Sequence, residues 1–372
     1  MERKLASIQR IESITPIEGA ESIEKATVLG WEVVVKKGEF VEGQYCVYCE
    51  VDSILPDRPE FEFMRERKFR VKTIKLRGQV SQGICFPLSI LSGLQAGKLS
   101  HGNDVTATLG IKKYDPQAEF ERKETERAMA THNSRMDKLL KRYSWYRKLF
   151  MRPKNNRLPM PSFISKTDED RIQNFPNACS DWGGLAFVAT EKLDGQSATY
   201  FLIPNPKRGL FRKKWLFGVC SRNFQLMTPD NSSYWEIAKA KELEGRMTQW
   251  CERYHCGLII QGEIVGPGIQ GNKYKLAERE LYVFNVIKYL HGLKTKIVPQ
   301  GQSMICIDLD LKRVHTVIDP FFLPPTIPEA VDMAKGTSVL EDIPREGLVV
   351  RNYSPNISFK IINPDFLLKF SE

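Results

Sequence analysis

The residues most able to do chemistry begin at Thr190-Glu191-Lys192-Leu193-Asp194-Gly195. A lysine stands at the end of an expected strand, with an aspartate two positions on and a glycine after it. Positions i and i+2 of a strand point to one face, so Lys192 and Asp194 are expected to converge on one site. The glycine permits a turn and close backbone approach. A lysine becomes a nucleophile near neutral pH when it is desolvated or set beside other positive charge, including a metal. One Lys-x-Asp-Gly run arises by chance in many proteins and carries little by itself.

Further residues of matching chemistry follow in order. Cys220-Ser221-Arg222-Asn223 stands at the end of another strand-like run. Gln261-Gly262-Glu263-Ile264-Val265-Gly266 puts a carboxylate near a strand end, ahead of a glycine-rich stretch reaching Gly271. Tyr282-Val283-Phe284-Asn285 is an aromatic strand suited to stacking on a base. Arg345-Glu346-Gly347-Leu348 places a carboxylate at the start of a strand. Ser358-Phe359-Lys360-Ile361-Ile362 supplies a lysine near the C-terminus. Each has a plain alternative: Glu263 and Glu346 as surface ion-pair partners, Phe284 as core, Lys192 as an ordinary exposed lysine.

The ordered set resembles the covalent nucleotidyltransferase superfamily of DNA ligases, RNA ligases and mRNA capping enzymes, motifs I, Ia, III, IIIa, IV and V. Within it the chain is most similar to ATP-dependent RNA ligases with an N-terminal OB module. Gly30-Trp31-Glu32-Val33-Val34-Val35, Lys75-Leu76-Arg77-Gly78 and Phe163-Ile164-Ser165-Lys166-Thr167-Asp168-Glu169 carry that closer likeness.

The resemblance implies three steps. Lys192 attacks the α-phosphate of ATP, AMP passes to a 5′-phosphate end, and a 3′-hydroxyl displaces AMP. It implies that Asp194, Glu263 and Glu346 hold Mg or Mn through its water shell, which suits an ion that keeps its waters. It implies that Arg222 contacts the ribose and the terminus being joined, that Phe284 stacks on adenine, and that Lys360 binds the α-phosphate. Glu191 and Gln173 are candidates for the adenine pocket.

Two features depart from the pattern. The usual motif V has two lysines one residue apart, whereas Lys360 is followed by Ile361 and Ile362, leaving Lys369 as the candidate second charge. The chain also ends at Glu372, where DNA ligases and capping enzymes continue into a further OB domain. That favours RNA ligation, with nicked RNA or RNA/DNA duplex as the expected partner and a monomer as the expected form. A DNA ligase or capping-type guanylyltransferase, and a nucleic-acid-binding protein with an inactive transferase domain, are the alternatives.

The elements that must position these residues fall into three regions. The 372 residues are a prior for about two or three domains. At 42% hydrophobic and 27% charged, the composition is that of a globular chain and excludes disorder throughout, collagen-like repeats and a coiled-coil rod. The net charge of +10 favours a polyanionic partner, nucleic acid or an anionic membrane surface. No stretch approaches the ~18 apolar residues of a membrane helix. The charged start, Met1-Glu2-Arg3-Lys4, precedes no apolar signal region. The eight scattered cysteines are expected to be reduced thiols in an intracellular protein.

Residues 1–112 read as short strands with glycine and proline punctuation, a small barrel or sandwich, which the resemblance implies is the OB-like domain. A phase slip between Thr73 and Ile74 suggests a β-bulge. From Arg65 to Arg77 seven residues are basic and one, Glu66, is acidic. Arg67, Lys72, Lys75 and Arg77 are therefore candidate phosphate contacts, against the alternative of a charged, solvated edge strand. Residues 113–161 read as a basic helical linker, with Met136, Leu139, Leu140, Tyr143 and Phe150 at helical spacing. Residues 162–372 read as an α+β domain, including a helical pattern over Ser233 to Arg253, which the resemblance implies is the nucleotidyltransferase domain. Cys46-Val47-Tyr48-Cys49 has metal-ligand spacing, but its cysteines fall on opposite faces of an alternating strand. Gly266 to Lys273 has the flavour of a phosphate loop but lacks its Gly-Lys-Ser/Thr ending.

Overall fold

The computed structural model describes residues 4–93, 100–114, 157–206, 214–227, 232–353 and 357–370. The helical spacing read over Met136 to Phe150 lies outside them. The chain divides into two compact units, one of Met1–Asp115, Glu169–Lys192 and Thr316–Glu372, the other of Pro116–Asp168 and Leu193–His315.

The first unit opens with short antiparallel strands. Ala6–Arg10, Tyr45–Cys49 and Ile84–Phe86 make one sheet, and Ser13–Pro16, Ile23–Val28 and Trp31–Lys36 another. Alternation decides what each strand buries. Trp31, Val33 and Val35 point into the core while Glu32 and Val34 are only half-buried. Tyr45–Cys49 is covered on both faces: Cys46 and Tyr48 enter one apolar cluster, Val47 and Cys49 another. The two cysteines thus face apart, which leaves no zinc pair.

Thr73–Leu76 and Gln79–Gln82 form a hairpin closed by Arg77 and Gly78, both at positive φ, as a tight two-residue turn requires. The bulge expected between Thr73 and Ile74 is absent. Thr73 pairs with Gln82 and Ile74 with Ser81 in unbroken register. The phase slips because the strand begins at Thr73, while Arg70 makes a separate bridge to Ile54.

The same unit contains a four-stranded antiparallel sheet in the order Thr316–Phe321, Phe187–Lys192, Gly347–Asn352, Ser358–Ile362. Phe187, Ala189, Leu348, Val350, Phe359 and Ile361 fill its core face. The helix Ile327–Ala334 covers that core with Ile327, Ala330 and Ala334, and the Thr326 hydroxyl caps it by accepting the Glu329 N–H at 3.4 Å.

The second unit is built on a larger sheet. Its main path is Arg157–Pro159, Phe224–Leu226, Trp215–Cys220, Gln196–Pro204, Gly257–Val265, Glu280–Leu290 and Leu293–Lys296. Gly218 sits against the Phe201 ring, where a Cβ would come within 2.0 Å. The helical pattern over Ser233 to Arg253 is two helices, Ser233–Ala240 and Leu243–Tyr254, broken where Glu242 takes φ +50°. Their apolar faces cover the sheet through Tyr234, Ile237, Met247, Trp250 and Cys251. Among the described residues no helix is long and apolar enough to cross a membrane.

Candidate active site

Gln173, Glu191, Lys192, Glu346, Lys360 and Lys369 belong to the first unit, and Asp194, Arg222, Glu263 and Phe284 to the second.

In the first unit, strand register arranges the lysines. Lys192 is the last residue of its strand and lies opposite Gly347. Thr190 lies opposite Val349, and Val349 opposite Lys360. Directly opposed residues share a face, as do residues two apart, so Lys192 and Lys360 stand on one face of the sheet. The Lys192 ammonium is ion-paired with Glu346, the residue before Gly347. Gly347 takes φ +153°, and a Cβ there would lie 2.2 Å from the Ile361 carbonyl oxygen. Only glycine lets the chain carrying Glu346 enter the sheet at this point.

Glu191 alternates to the opposite face and is 2% exposed. Its Oε2 accepts the Val339 N–H at 3.2 Å, and its Oε1 is buried with no hydrogen-bond partner among the described residues. Gln173 lies in a short turn, Ile172–Asn174, and its Oε1 is likewise buried and unmatched. Lys369 is exposed on the C-terminal helix Pro364–Phe370, which packs against Thr73–Leu76.

In the second unit the Asp194-Gly195 turn is held from three sides. The Asp194 carboxylate is ion-paired with Lys273. The Asp194 N–H donates to the Tyr274 hydroxyl at 2.8 Å, and the Gly195 N–H to Glu263 Oε1 at 3.2 Å. A Cβ on Gly195 would meet the Ile264 carbonyl oxygen at 2.3 Å. The expectation that one strand carries Lys192 and Asp194 on the same face is corrected here. The strand ends at Lys192, so its alternation does not reach Asp194.

Arg222 contacts both carboxylate oxygens of Asp168 at 2.7 Å. Phe284 is the extra residue at a bulge in its strand, since Gln261 pairs with Asn285 and Gly262 with Val283. The bulge leaves the ring half-buried beside buried Gln261 and Asn285, which are hydrogen-bonded to each other at 3.0 Å.

Lys273 and Tyr274 are not among the residues the ordered motifs single out; the sequence signal for them is their place at the end of the glycine-rich stretch after Glu263. Among the described residues no group of three or more His, Cys, Asp or Glu side chains is gathered to hold a metal.

Of the basic run, Arg67, Lys75 and Arg77 are exposed and Lys72 is half-buried. Arg65 is committed to Asp57 and Glu62, and Arg70 to Asp52.

A lysine paired with a carboxylate, and a second lysine on the same sheet face, fit the class that the ordered motifs resemble, a covalent nucleotidyltransferase with an OB-fold module. The comparisons agree with that class. An OB-fold domain model matches residues 5–88, and an RNA ligase model matches residues 185–367. The chain belongs to the RNA ligase family. It is 30% identical to a mutant Naegleria gruberi RNA ligase with ATP and Mn, over 100% of both chains, at a TM-score of 0.77. A mutant of that ligase in its apo form gives 30% identity, 99% and 98% coverage and a TM-score of 0.76. The same ligase with PPi gives 30%, 100% and 99%, and 0.75. A search of curated proteins gives no match.

Proposed function

We propose that this enzyme is an ATP-dependent RNA ligase that joins 5′-phosphate and 3′-hydroxyl ends at nicks in RNA or RNA/DNA duplex. The observation that carries the reading is the register that presents Lys192 and Lys360 on one sheet face, with Glu346 beside Lys192. The Naegleria gruberi ligase structures with ATP and Mn and with PPi support it.

In the first step the neutral amine of Lys192 attacks the α-phosphorus. The N–P bond forms as the bond to pyrophosphate breaks, and the amine proton leaves. Lys360 meets the charge that develops on the α-phosphate. The 5′-phosphate then takes AMP from Lys192, and the 3′-hydroxyl oxygen displaces AMP to close the phosphodiester. Arg222 orients the ribose and the terminus being joined. Arg67, Lys72, Lys75 and Arg77 contact backbone phosphates.

Asp194, Glu263 and Glu346 would hold Mg or Mn. Their hard oxygens suit either ion, and an ion that keeps its waters needs no tight cage of direct ligands. Asp194 and Glu346 are each neutralised by a lysine ammonium, so both positions call for positive charge. When bound, the ion neutralises the α-phosphate and favours the neutral amine of Lys192.

Gln173 Oε1 and Glu191 Oε1, unmatched among the described residues, suit the exocyclic amine of adenine, which stands where guanine carries a carbonyl. Phe284 stacks on the ring, and Lys369 supplies the second charge of motif V.

Intact-protein mass after incubation with ATP and Mg or Mn tests the reading. The wild type, first stripped with pyrophosphate, should gain one AMP, and Lys192→Ala none. Lys192→Ala should still seal a pre-adenylylated strand at a nick. A wild type that gains no AMP overturns the reading.

A further inference from the structure

Within the second unit, the glycine-rich stretch after Glu263 folds back onto the Asp194-Gly195 turn. Gln270, Asn272 and Lys275 take positive φ there although they carry side chains, a conformation uncommon outside glycine. Asn272 closes the coil. Its Nδ2 donates to the Leu276 carbonyl at 3.0 Å, and its Oδ1 accepts the Leu276 N–H at 3.1 Å. Lys273 and Tyr274 stand between those two bonds. The Tyr274 hydroxyl accepts the Asp194 N–H, and the Lys273 ammonium is ion-paired with the Asp194 carboxylate.

This is not a solvated surface pair. The Lys273 side chain is 19% exposed and that of Asp194 23%. Arg279, the next arginine along the chain, is taken up by Glu236 and the Pro267 carbonyl, whereas Lys273 is presented to the turn. The proposed function puts a divalent ion at Asp194 and at Glu263, whose Oε1 accepts the Gly195 N–H. An ammonium already on Asp194 competes with that ion for the same negative charge. Buried Tyr274 pins the backbone beside it, so the lysine side chain is the part that gives way. A flexible four-carbon stem lets the ammonium swing, and as a compact point charge it suits a phosphate oxygen.

We propose that Lys273 is a phosphate-binding residue of the ATP site, held on Asp194 until ATP and its divalent ion arrive together. In the free enzyme its ammonium neutralises Asp194. In the loaded enzyme it leaves the carboxylate to the ion and pairs with a phosphate oxygen of ATP. Lys273 therefore opposes the ion alone and assists the ion with ATP. Its effect is a coupling between two ligands, which is the same whichever of them binds first.

This inference rests on the proposed function, and the test separates the two. Mn binding to the full chain, stripped of AMP with pyrophosphate, is read from the electron spin resonance signal of the free ion. It is measured without nucleotide and with the α,β-methylene analogue of ATP, which cannot transfer AMP. Lys273→Met removes the charge and keeps the length of the stem. It should bind Mn alone about twofold to tenfold more tightly than wild type, because the competing ammonium is gone. It should bind the analogue in the presence of Mn about tenfold to a hundredfold more weakly, because a charged contact is lost. Lys273→Arg, which keeps the charge, should move both affinities back toward wild type. A merely structural role would weaken both together. That result, or a failure of either shift to appear, overturns the proposal. If Lys273→Met does not fold, Lys273→Gln carries the same test, with the same two opposed shifts required. A wild-type chain that gains no AMP from ATP itself sinks the proposed function instead.

Discussion

The backbone N–H of Asp194 donates to the hydroxyl of Tyr274 at 2.8 Å, across 80 positions of sequence. Tyr274 is 2% exposed, so the acceptor is fixed by packing. Removing it in Tyr274→Phe strands a part-buried donor, at a cost of about 1–3 kcal/mol. Denaturant unfolding should register that loss, and the rate of AMP uptake should fall with it. A variant as stable and as fast as wild type would show that the turn needs no lock.

Gly347 admits no side chain. A Cβ 2.2 Å from the Ile361 carbonyl oxygen must push apart the strands that carry Glu346 and Lys360. Gly347→Ala should lower stability by about 1–3 kcal/mol and reduce AMP uptake by more than its melting temperature explains. Gly78→Ala is the control for backbone strain alone, since φ +84° there meets open space.

Gln173 offers a buried acceptor with no partner among the described residues. Gln173→Ala should raise the ATP concentration needed for half-maximal lysine adenylylation about tenfold, with the maximal rate little changed. The wild type should take up AMP from ATP and no GMP from GTP. GMP uptake as fast as AMP uptake would remove Gln173 and Glu191 from base selection.

The cysteines are all thiols. Burial pushes Cys220 and Cys251 up to about 12 and Cys306 up to about 11. Thiolate is the reactive form, so these three should resist maleimide at pH 8 in the folded chain. Cys179 is half-buried and should be modified before them. Peptide mass mapping before and after denaturant reads the order, and early labelling of Cys251 would contradict it.

Glu280 carries a pH signature. Burial pushes its carboxyl up, but hydrogen bonds from Lys241, Lys312 and the Leu281 N–H outweigh this and hold it below the ordinary carboxylate range. A carboxyl depressed by folding stabilises the protein above its unfolded pKa of about 4.3. That stabilisation is lost as pH falls through the lower folded value. Glu280→Gln should therefore be less stable than wild type at pH 7, with the gap closing below about pH 4. A gap that widens in acid would reverse the sign of the argument.

Much of this protein is local in origin. Alternation in Trp31-Glu32-Val33-Val34-Val35 already assigns a strand and its buried face, because a strand's side chains alternate whatever it pairs with. The order of Lys192, Arg222, Glu263, Phe284, Glu346 and Lys360 is likewise written in the chain, and with it the class of chemistry. Local periodicity says which way a side chain points, but not what it meets. Lys273 reaches Asp194 across 79 positions and Arg171 reaches Asp52 across 119, and neither pair has a spacing that marks it. The helical pattern over Ser233 to Arg253 hid its break because a single left-handed residue, Glu242, leaves the apolar rhythm on either side intact. Residue types and their order were the sequence's own. Register between distant strands, and therefore the shared face of Lys192 and Lys360, was decided only when the sheet closed, because strand pairing depends on the packing of the whole core.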